Sequence, residues 1–567
     1  MKIDVANGFL GSMKRSTGTE VTLFQQITNS IYFIVRYTFL IFLLFLLAGH
    51  ETANPRVGTT NIEFYSVAFR NAIRNQNNTG EGELYDIEDE VRHFYSLRQY
   101  TPAWTINFTI KSTYRELEEL LADAYSYGLF PSTYNFKQLK ELEQMINATE
   151  GEKNKLNLRI KFEQTATKAL LQFSRHIAIG FNTDDTSSTY LSFIEYLPGY
   201  LNNHLIEGTL RDGILNLQPD NEPYRKLQLA MARYIHAAIS DTMVCIPDII
   251  RSDWDLQVTR LVKQGYLDQN FADDTFAVHS AVRNFQRMHG LEITGQVDQE
   301  TARMLSKNTK EKFLTIALNL DRLRKDELRS TDYVLVNIPE FRLHYYNSKG
   351  SYTGFNVIVG RENTPTPQLI SQIESIVTNP QWTVPQSITR NEIIPLIKKD
   401  SLYLQKHGFA VVDKESNPVD MSSINWADLN PREFEYWFRQ TKTDNALGVV
   451  KFLFPNTNAV YLHDTQAKGL FTGRKRAHSH GCIRLENPVE FAKILVSSYT
   501  YNENKVDIES IIRRKDRRQI KLDKPLPIYL RYYSCLADST GNIHYFPDIY
   551  NLDEAAIQQL FANMSWD

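Results

Sequence analysis

The period of the hydrophobic pattern changes near residue 328, and this change limits what the chain can fold into more than any other feature. Upstream, apolar residues recur at helical spacing: Leu117, Leu120, Leu121 and Ala124 fall at i, i+3, i+4 and i+7. Thr113 and Glu116 fit a capping box in front of them, and Gly128 and Pro131 stop the helix behind them. Downstream of a helical connector, Lys310 to Glu327, residues Val334, Val336 and Ile338 recur at every second position. Phe341 to Tyr346 come next, then a turn at Asn347-Ser348-Lys349-Gly350, then Phe355 to Val359. A helical half therefore precedes a hairpin-rich sheet, which gives an α+β multidomain protein. The 567 residues suit three or four domains.

Residues 50–85 are polar and turn-rich, with Asn75-Gln76-Asn77-Asn78-Thr79-Gly80 at their centre, and read as a linker. Residues 255–306 read as a compact unit. Leu261, Tyr266 and Leu267 open it, Val278, Ala281, Val282 and Phe285 form one helical stripe ended by Gly290, and Asp298 marks the next N-cap. Residues 395–444, which include Trp426 and Trp437, interrupt the strand pattern with mixed, charged sequence. A net charge of −3 gives no reason to expect a nucleic-acid partner. Lys14, Arg15 and Arg36 precede the apolar run Tyr37 to Ala48. Basic residues in front of such a run predict export of the downstream chain, with the run either a signal peptide or a membrane anchor. An uncleaved anchor is the favoured reading.

Cysteine is scarce: Cys245, Cys482 and Cys535. Cys482 sits in Ala477-His478-Ser479-His480-Gly481-Cys482-Ile483-Arg484-Leu485-Glu486, and His463 in Val460-Tyr461-Leu462-His463-Asp464 lies 19 positions before it. A thiol needs a base or cationic surroundings to become a nucleophile, and a histidine supplies the base. Gly481 permits close backbone approach, and the amides near Gly481 and Cys482 are candidates for an oxyanion hole. Other readings of the same spacing stay open. His478, His480 and Cys482 alternate and on one strand would offer three zinc ligands, while a lone cysteine is often a buried small hydrophobe. Cys482 should be unpaired. Cys245 and Cys535 could pair in an oxidising compartment, and are read as structural and reduced.

The stretch Ser479-His480-Gly481-Cys482-Ile483-Arg484 resembles the S-H-G-C-x-R signature of L,D-transpeptidases with a YkuD-type catalytic domain, and His463 matches that family's second signature histidine. Val336-Asn337-Ile338-Pro339, Asn379 to Pro385, Arg390-Asn391-Glu392-Ile393, Asn445-Ala446-Leu447-Gly448 and Val450-Lys451-Phe452 resemble the large YcbB-like branch in the same order. Phe94-Tyr95 with Pro102-Ala103-Trp104 is similar to the start of its helical scaffold region, and Ala281 to Thr301 is similar to a three-helix peptidoglycan-binding domain. The resemblance implies residues 1–53 as cytoplasmic tail and membrane segment and 54–250 as linker and helical scaffold domain. It implies 251–310 as peptidoglycan-binding domain and 328–567 as β-rich catalytic domain, with 395–444 as an inserted capping subdomain.

It further implies that Cys482 attacks a stem tetrapeptide at its third residue, expels D-Ala and hands the acyl group to a neighbouring stem, making a 3→3 cross-link. His463 is the implied base. Tyr461 and His480 shape the pocket, Arg484 either holds a substrate carboxylate or ties the loop down, and Ser479 is a loop hydrogen-bonder. Asp464 orients His463 through its carboxylate or its backbone carbonyl. No metal and no cofactor is implied. The implied partners are peptidoglycan stem peptides and glycan, the membrane, other cell-wall synthesis proteins, and carbapenems as covalent inhibitors. The implied location is the periplasmic side of the cell envelope, anchored in the inner membrane. An L,D-carboxypeptidase or endopeptidase, or a non-catalytic wall-binding scaffold, are the alternatives.

Overall fold

The computed structural model describes residues 59–74, 87–106, 109–181, 187–240, 254–307, 309–326, 328, 332–348, 352–440, 445–500 and 506–565. The run Tyr37 to Ala48 and Cys245 lie outside them, and among the described residues no helix is long and apolar enough to cross a membrane. The chain divides into two units, residues 1–71 and 72–567. Helix Thr59–Arg74 begins in the first.

The second unit starts with a helical layer built from Ile87–Leu97, Thr113–Ala122, Phe136–Ala148, Glu152–Ile179, Ser188–Glu207, Glu222–Ser240 and Thr309–Lys325. The stripe Leu117, Leu120, Leu121 and Ala124 is fully buried, as its spacing requires. The capping box does not form. Ser112 occupies the N-cap without a side-chain bond, and Glu116 instead accepts the amide of Arg211 at 3.0 Å on a neighbouring helix, so a tertiary contact overrides the local one. Trp104 is buried and donates its indole N–H to Thr167 Oγ1 at 2.9 Å. Beside it the buried carboxylate of Glu163 accepts from the amides of Ala103, Trp104 and Thr105 and from the Tyr95 hydroxyl, which makes this corner a satisfied packing hub.

Three helices, Trp254–Lys263, Thr275–Met288 and Gln299–Ser306, make the compact unit read from the sequence. Val278, Ala281, Val282 and Phe285 face inward, and Asp298 caps the third helix by accepting from Thr301 N at 2.7 Å.

The β-rich half contains nine strands of one sheet: β1 Tyr333–Asn337, β2 Arg342–Tyr346, β3 Tyr352–Gly360, β4 Leu369–Thr378, β5 Val450–Leu453, β6 Leu462–His463, β7 Ala477–Ser479, β8 Ile483–Leu485 and β9 Gln519–Arg531. Pairing runs β3-β8-β6-β5-β4-β9-β1-β2 and returns to β3, so eight strands close on themselves, with β7 lying parallel on the end of β3. The alternation expected of Val334, Val336 and Ile338 is not an inside/outside alternation. Every residue of β1 is buried: Val334 and Val336 enter the barrel core, and on the other face Tyr333 lies near Glu222 of the helical layer. Between β4 and β5 the chain leaves the barrel for a four-stranded antiparallel sheet (Trp382–Thr383, Trp437–Gln440, Phe409–Val412, Pro418–Val419). This excursion has its own core of Val384, Ile393, Ile394, Ile397, Phe409, Phe434 and Phe438, and its first strand lies before residue 395.

Candidate active site

β5, β6 and β8 are neighbours, and their register assembles the site. Lys451 pairs with His463, and His463 pairs with Arg484. Successive strand residues point to opposite faces. Val450, Phe452, Leu462, Ile483 and Leu485 enter the barrel core and are fully buried, so Lys451, Tyr461, His463, Cys482 and Arg484 share the outer face. The site is thus the polar complement of an apolar alternation.

His463 is buried, and its Nδ1 meets the backbone carbonyl of Asp464. A carbonyl only accepts, so Nδ1 carries the proton and Nε2 keeps a lone pair, the tautomer a base requires. The Asp464 carboxylate does not orient the ring. It accepts the Val449 amide at 2.9 Å and pairs with Lys468. Burial first, then the Arg484 charge, push the imidazole pKa down to about 3; the hydrogen bond to the Asp464 carbonyl opposes them, and the Lys451 charge adds a smaller push down. The imidazole is therefore neutral throughout the physiological range.

Cys482 is half-buried and unpaired, and so is the fully buried Cys535. Burial pushes the Cys482 thiol up, while the Tyr461 amide and hydroxyl, Arg484 and Lys451 pull it down. The resting pair is thus a thiol and a neutral imidazole. The thiol's hydrogen bond runs to the Ala459 carbonyl at 3.9 Å. Tyr461 lies edge-on to His463, 5.6 Å between ring centres, with the Trp382 side chain of the inserted subdomain close to its hydroxyl.

The turn ahead of the thiol is held from several sides. Gly481 has φ of 110°, a conformation costly for any residue with a Cβ. Its carbonyl accepts from Thr366 Oγ1 at 2.8 Å, and its amide donates to Ser479 Oγ at 3.1 Å. The Gly481 N–H is therefore occupied in this state rather than open to an oxyanion. Ser479 also donates to the Cys482 carbonyl. The His478, His480 and Cys482 alternation is broken by this turn and by a register shift in β7. His480 faces Glu392 and Arg361 at the rim, and among the described residues no three His, Cys, Asp or Glu side chains are arranged for a metal. Gly448 has φ of 60°, and a Cβ there would lie 2.2 Å from the Asp464 carboxylate.

Sequence reasoning did not assign roles to Lys451, Thr366 or Tyr550. Tyr550 accepts the Thr366 amide at 3.0 Å and donates to the Gly360 carbonyl at 2.8 Å, bracing the same turn. Lys451 had a legible signal, a lone charge between two core residues of a strand. Thr366 and Tyr550 had none, since their contacts cross 115 and 184 residues of sequence.

Residues 331–508 match the family described as L,D-transpeptidase catalytic domain, YkuD. The chain carries an L,D-transpeptidase catalytic domain. Residues 89–231 match the scaffold domain and residues 255–305 the "Putative peptidoglycan binding domain". A protein of Haemophilus influenzae described as "Putative L,D-transpeptidase" is 33% identical over 269 residues, 47% of this chain and 53% of that protein. The match thus spans about half the length of that relative.

Proposed function

We propose that the chain forms 3→3 peptidoglycan cross-links through a thioester on Cys482. What supports this is the parallel register of β6 and β8, which sets a neutral Nδ1-protonated imidazole and a thiol on one face beside two cations. As the thiol attacks the carbonyl of the third stem residue, His463 Nε2 takes its proton and then gives it to the leaving amine. Because neither group is ionised at rest, the proton moves with the attack and not before it. The amine of a neighbouring stem then cleaves the thioester. The inserted subdomain, joined to the site through Trp382 and Glu392, screens this intermediate from water. We place the enzyme on the outer side of the cytoplasmic membrane, anchored by the Tyr37 to Ala48 run, with carbapenems as covalent inhibitors.

Intact-protein mass spectrometry tests the reading. A stem tetrapeptide should leave one acyl adduct of tripeptide mass, a carbapenem one adduct, and neither should form on Cys482→Ala. Adducts that survive this substitution would name another nucleophile. Release of D-Ala without cross-linked product when acceptor is supplied would make the enzyme a carboxypeptidase.

A further inference from the structure

The stretch Arg513-Arg514-Lys515-Asp516-Arg517-Arg518 puts five bases and one acid into six residues. It forms the turn between helix Ile508–Arg513 and β9, and all five basic side chains are exposed. A helix C-terminus favours cations in its last turn. That accounts for Arg513 and Arg514 but not for Arg517 and Arg518, which lie beyond the helix on the approach to β9. The one acid is already shared, since Asp516 pairs with Arg514 at 3.1 Å and with Arg518 at 3.7 Å. Among the described residues no carboxylate pairs with Arg513, Lys515 or Arg517. Like charges crowded into one turn repel one another, and a bound anion relieves that. The turn is held firmly. The Lys515 amide donates to the Ile512 carbonyl at 2.9 Å. The Asp516 carbonyl accepts from Thr378 Oγ1 at 2.8 Å and from Asn379 Nδ2 at 3.1 Å, and the Arg518 amide donates to Thr378 Oγ1 at 3.1 Å. Thr378 ends β4, where the chain leaves the barrel for the inserted subdomain. Three residues on, Gln381 Oε1 accepts from Arg517 Nη1 at 3.0 Å, and its neighbour Trp382 stands close to the Tyr461 hydroxyl beside Cys482. Lys451, on the face of the thiol, is also within reach of this charge: burial first and Arg517 second hold its ammonium below the ordinary value. The basic turn is thus continuous with the rim of the active site at the base of the inserted subdomain.

We propose that the Arg513–Arg518 turn is the docking surface for the acceptor, a peptidoglycan strand whose stem carboxylates it gathers, and that the acceptor amine reaches the thioester along the side of Gln381 and Trp382. This rests on the reading of Cys482 as the acylated nucleophile. A strand with a free carboxylate on every stem is a polyanion. Several cations in one turn capture it through weak contacts made together, and each contact raises the local concentration of the next stem. Continuity with the rim of the thiol is what singles out a substrate strand among polyanions. In the transfer step the acceptor nitrogen attacks the thioester carbon and the carbon–sulfur bond breaks. One nitrogen proton passes through His463 Nε2 to the departing sulfur, which restores the thiol and leaves a new amide. Arg513 and Lys515 touch neither the thiol nor the imidazole, so the acylation half of the reaction does not depend on them.

The test separates the two half-reactions in the full chain. Arg513→Gln/Lys515→Gln removes two exposed charges that no carboxylate neutralises, and melting temperatures show that the variant folds. Acylation of Cys482 by a stem tetrapeptide without acceptor should match the parent. With soluble uncross-linked strands as acceptor, the KM for the strand should rise by roughly 2- to 30-fold with kcat kept, the compounded worth of two exposed charge contacts. Arg513→Lys/Lys515→Arg keeps the charge and should behave as the parent. Amidating the carboxylates of the strand should raise the parental KM as far as the glutamine variant does, and should add nothing in that variant. A glutamine variant with the parental KM, or a parent indifferent to amidation, overturns the surface. So does a variant that keeps the parental KM and loses binding to phosphatidylglycerol vesicles, which would make the turn a membrane contact. Fluorescence anisotropy of labelled strands on Cys482→Ala tests the surface apart from turnover. Binding should weaken by the same factor when the two glutamines are added, and unchanged binding overturns the surface. A parent that no tetrapeptide acylates overturns the transpeptidase reading and the acceptor role with it, whatever the anisotropy shows.

Discussion

His463 carries the pH behaviour of the site. Its pKa near 3 follows from burial first and from the flanking cations second. Acylation by the parent should therefore show no acid limb from this residue between pH 5 and 8. His463→Ala should slow acylation by roughly 10²–10⁴-fold at neutral pH, the usual worth of a positioned base. The loss should shrink only at alkaline pH, because burial holds the Cys482 thiol above the ordinary cysteine range. Rate against pH for the two proteins measures this. Parallel profiles with no alkaline recovery would show that His463 acts by position and not as the base. Cys482 and His463 could be named as candidate nucleophile and base from the sequence, because the two signature motifs contain them. Which part of Asp464 orients the ring was not legible, since one residue offers a carbonyl and a carboxylate and only tertiary structure sends the carboxylate to Lys468 and the Val449 amide.

At the scale of elements, the turn between β7 and β8 is what aims the thiol, and Thr366 is its main brace. Its hydroxyl accepts the Gly360 amide at 2.9 Å and donates to the Gly481 carbonyl at 2.8 Å. Thr366→Val keeps the shape and leaves two backbone groups unpaired, an expected cost of about 1–3 kcal/mol. The urea midpoint should fall by that cost divided by the slope, with the slope itself unchanged, and acylation should slow with it. A variant of parental stability and rate would show that the turn is held without Thr366. Element type was readable before the structure wherever one face alone is buried, as in the helical stripes of the compact three-helix unit. Finer detail was misread within correctly typed elements: the facing of β1, where both faces are covered, and the cap of Thr113–Ala122, where Glu116 bonds Arg211 in preference to its own helix start. The inserted sheet starts at Trp382, and its extent was not legible because Trp382–Thr383 pairs with a strand 56 residues away.

For the molecule as a whole, buried histidines set the response of stability to acid. His463 in the catalytic domain and His176 in the helical layer are both held to about 3, and His289 in the three-helix unit lies well below its ordinary value, burial being the leading cause in each. In the unfolded chain each binds a proton near pH 6.5, whereas in the native state each stays neutral to far lower pH. The unfolded state thus holds more protons between about pH 6.5 and 3, so stability rises with pH across that window and is lost as pH falls through it. Above 6.5 the three contribute no slope. One such proton is worth about 1.4 kcal/mol for each pH unit. Carboxylates held low in the native state, Glu340 by His344 and Asp538 by its hydrogen bonds, add a loss of the same sign beginning lower, near their unfolded values. Chemical denaturation in 0.5-unit pH steps, about eight points across the window, separates the two groups. The curve should already slope between 6.5 and 5, where only histidines titrate. His176→Gln tests one residue away from the active site, since glutamine can still accept from the Tyr134 hydroxyl that His176 Nδ1 meets at 3.0 Å. It should flatten that slope by about one proton and leave acylation at pH 7.5 unchanged. A parent curve that is level from 6.5 to 5, or a variant curve of parental steepness, would show that these histidines are protonated in the native state and that burial is not what governs them.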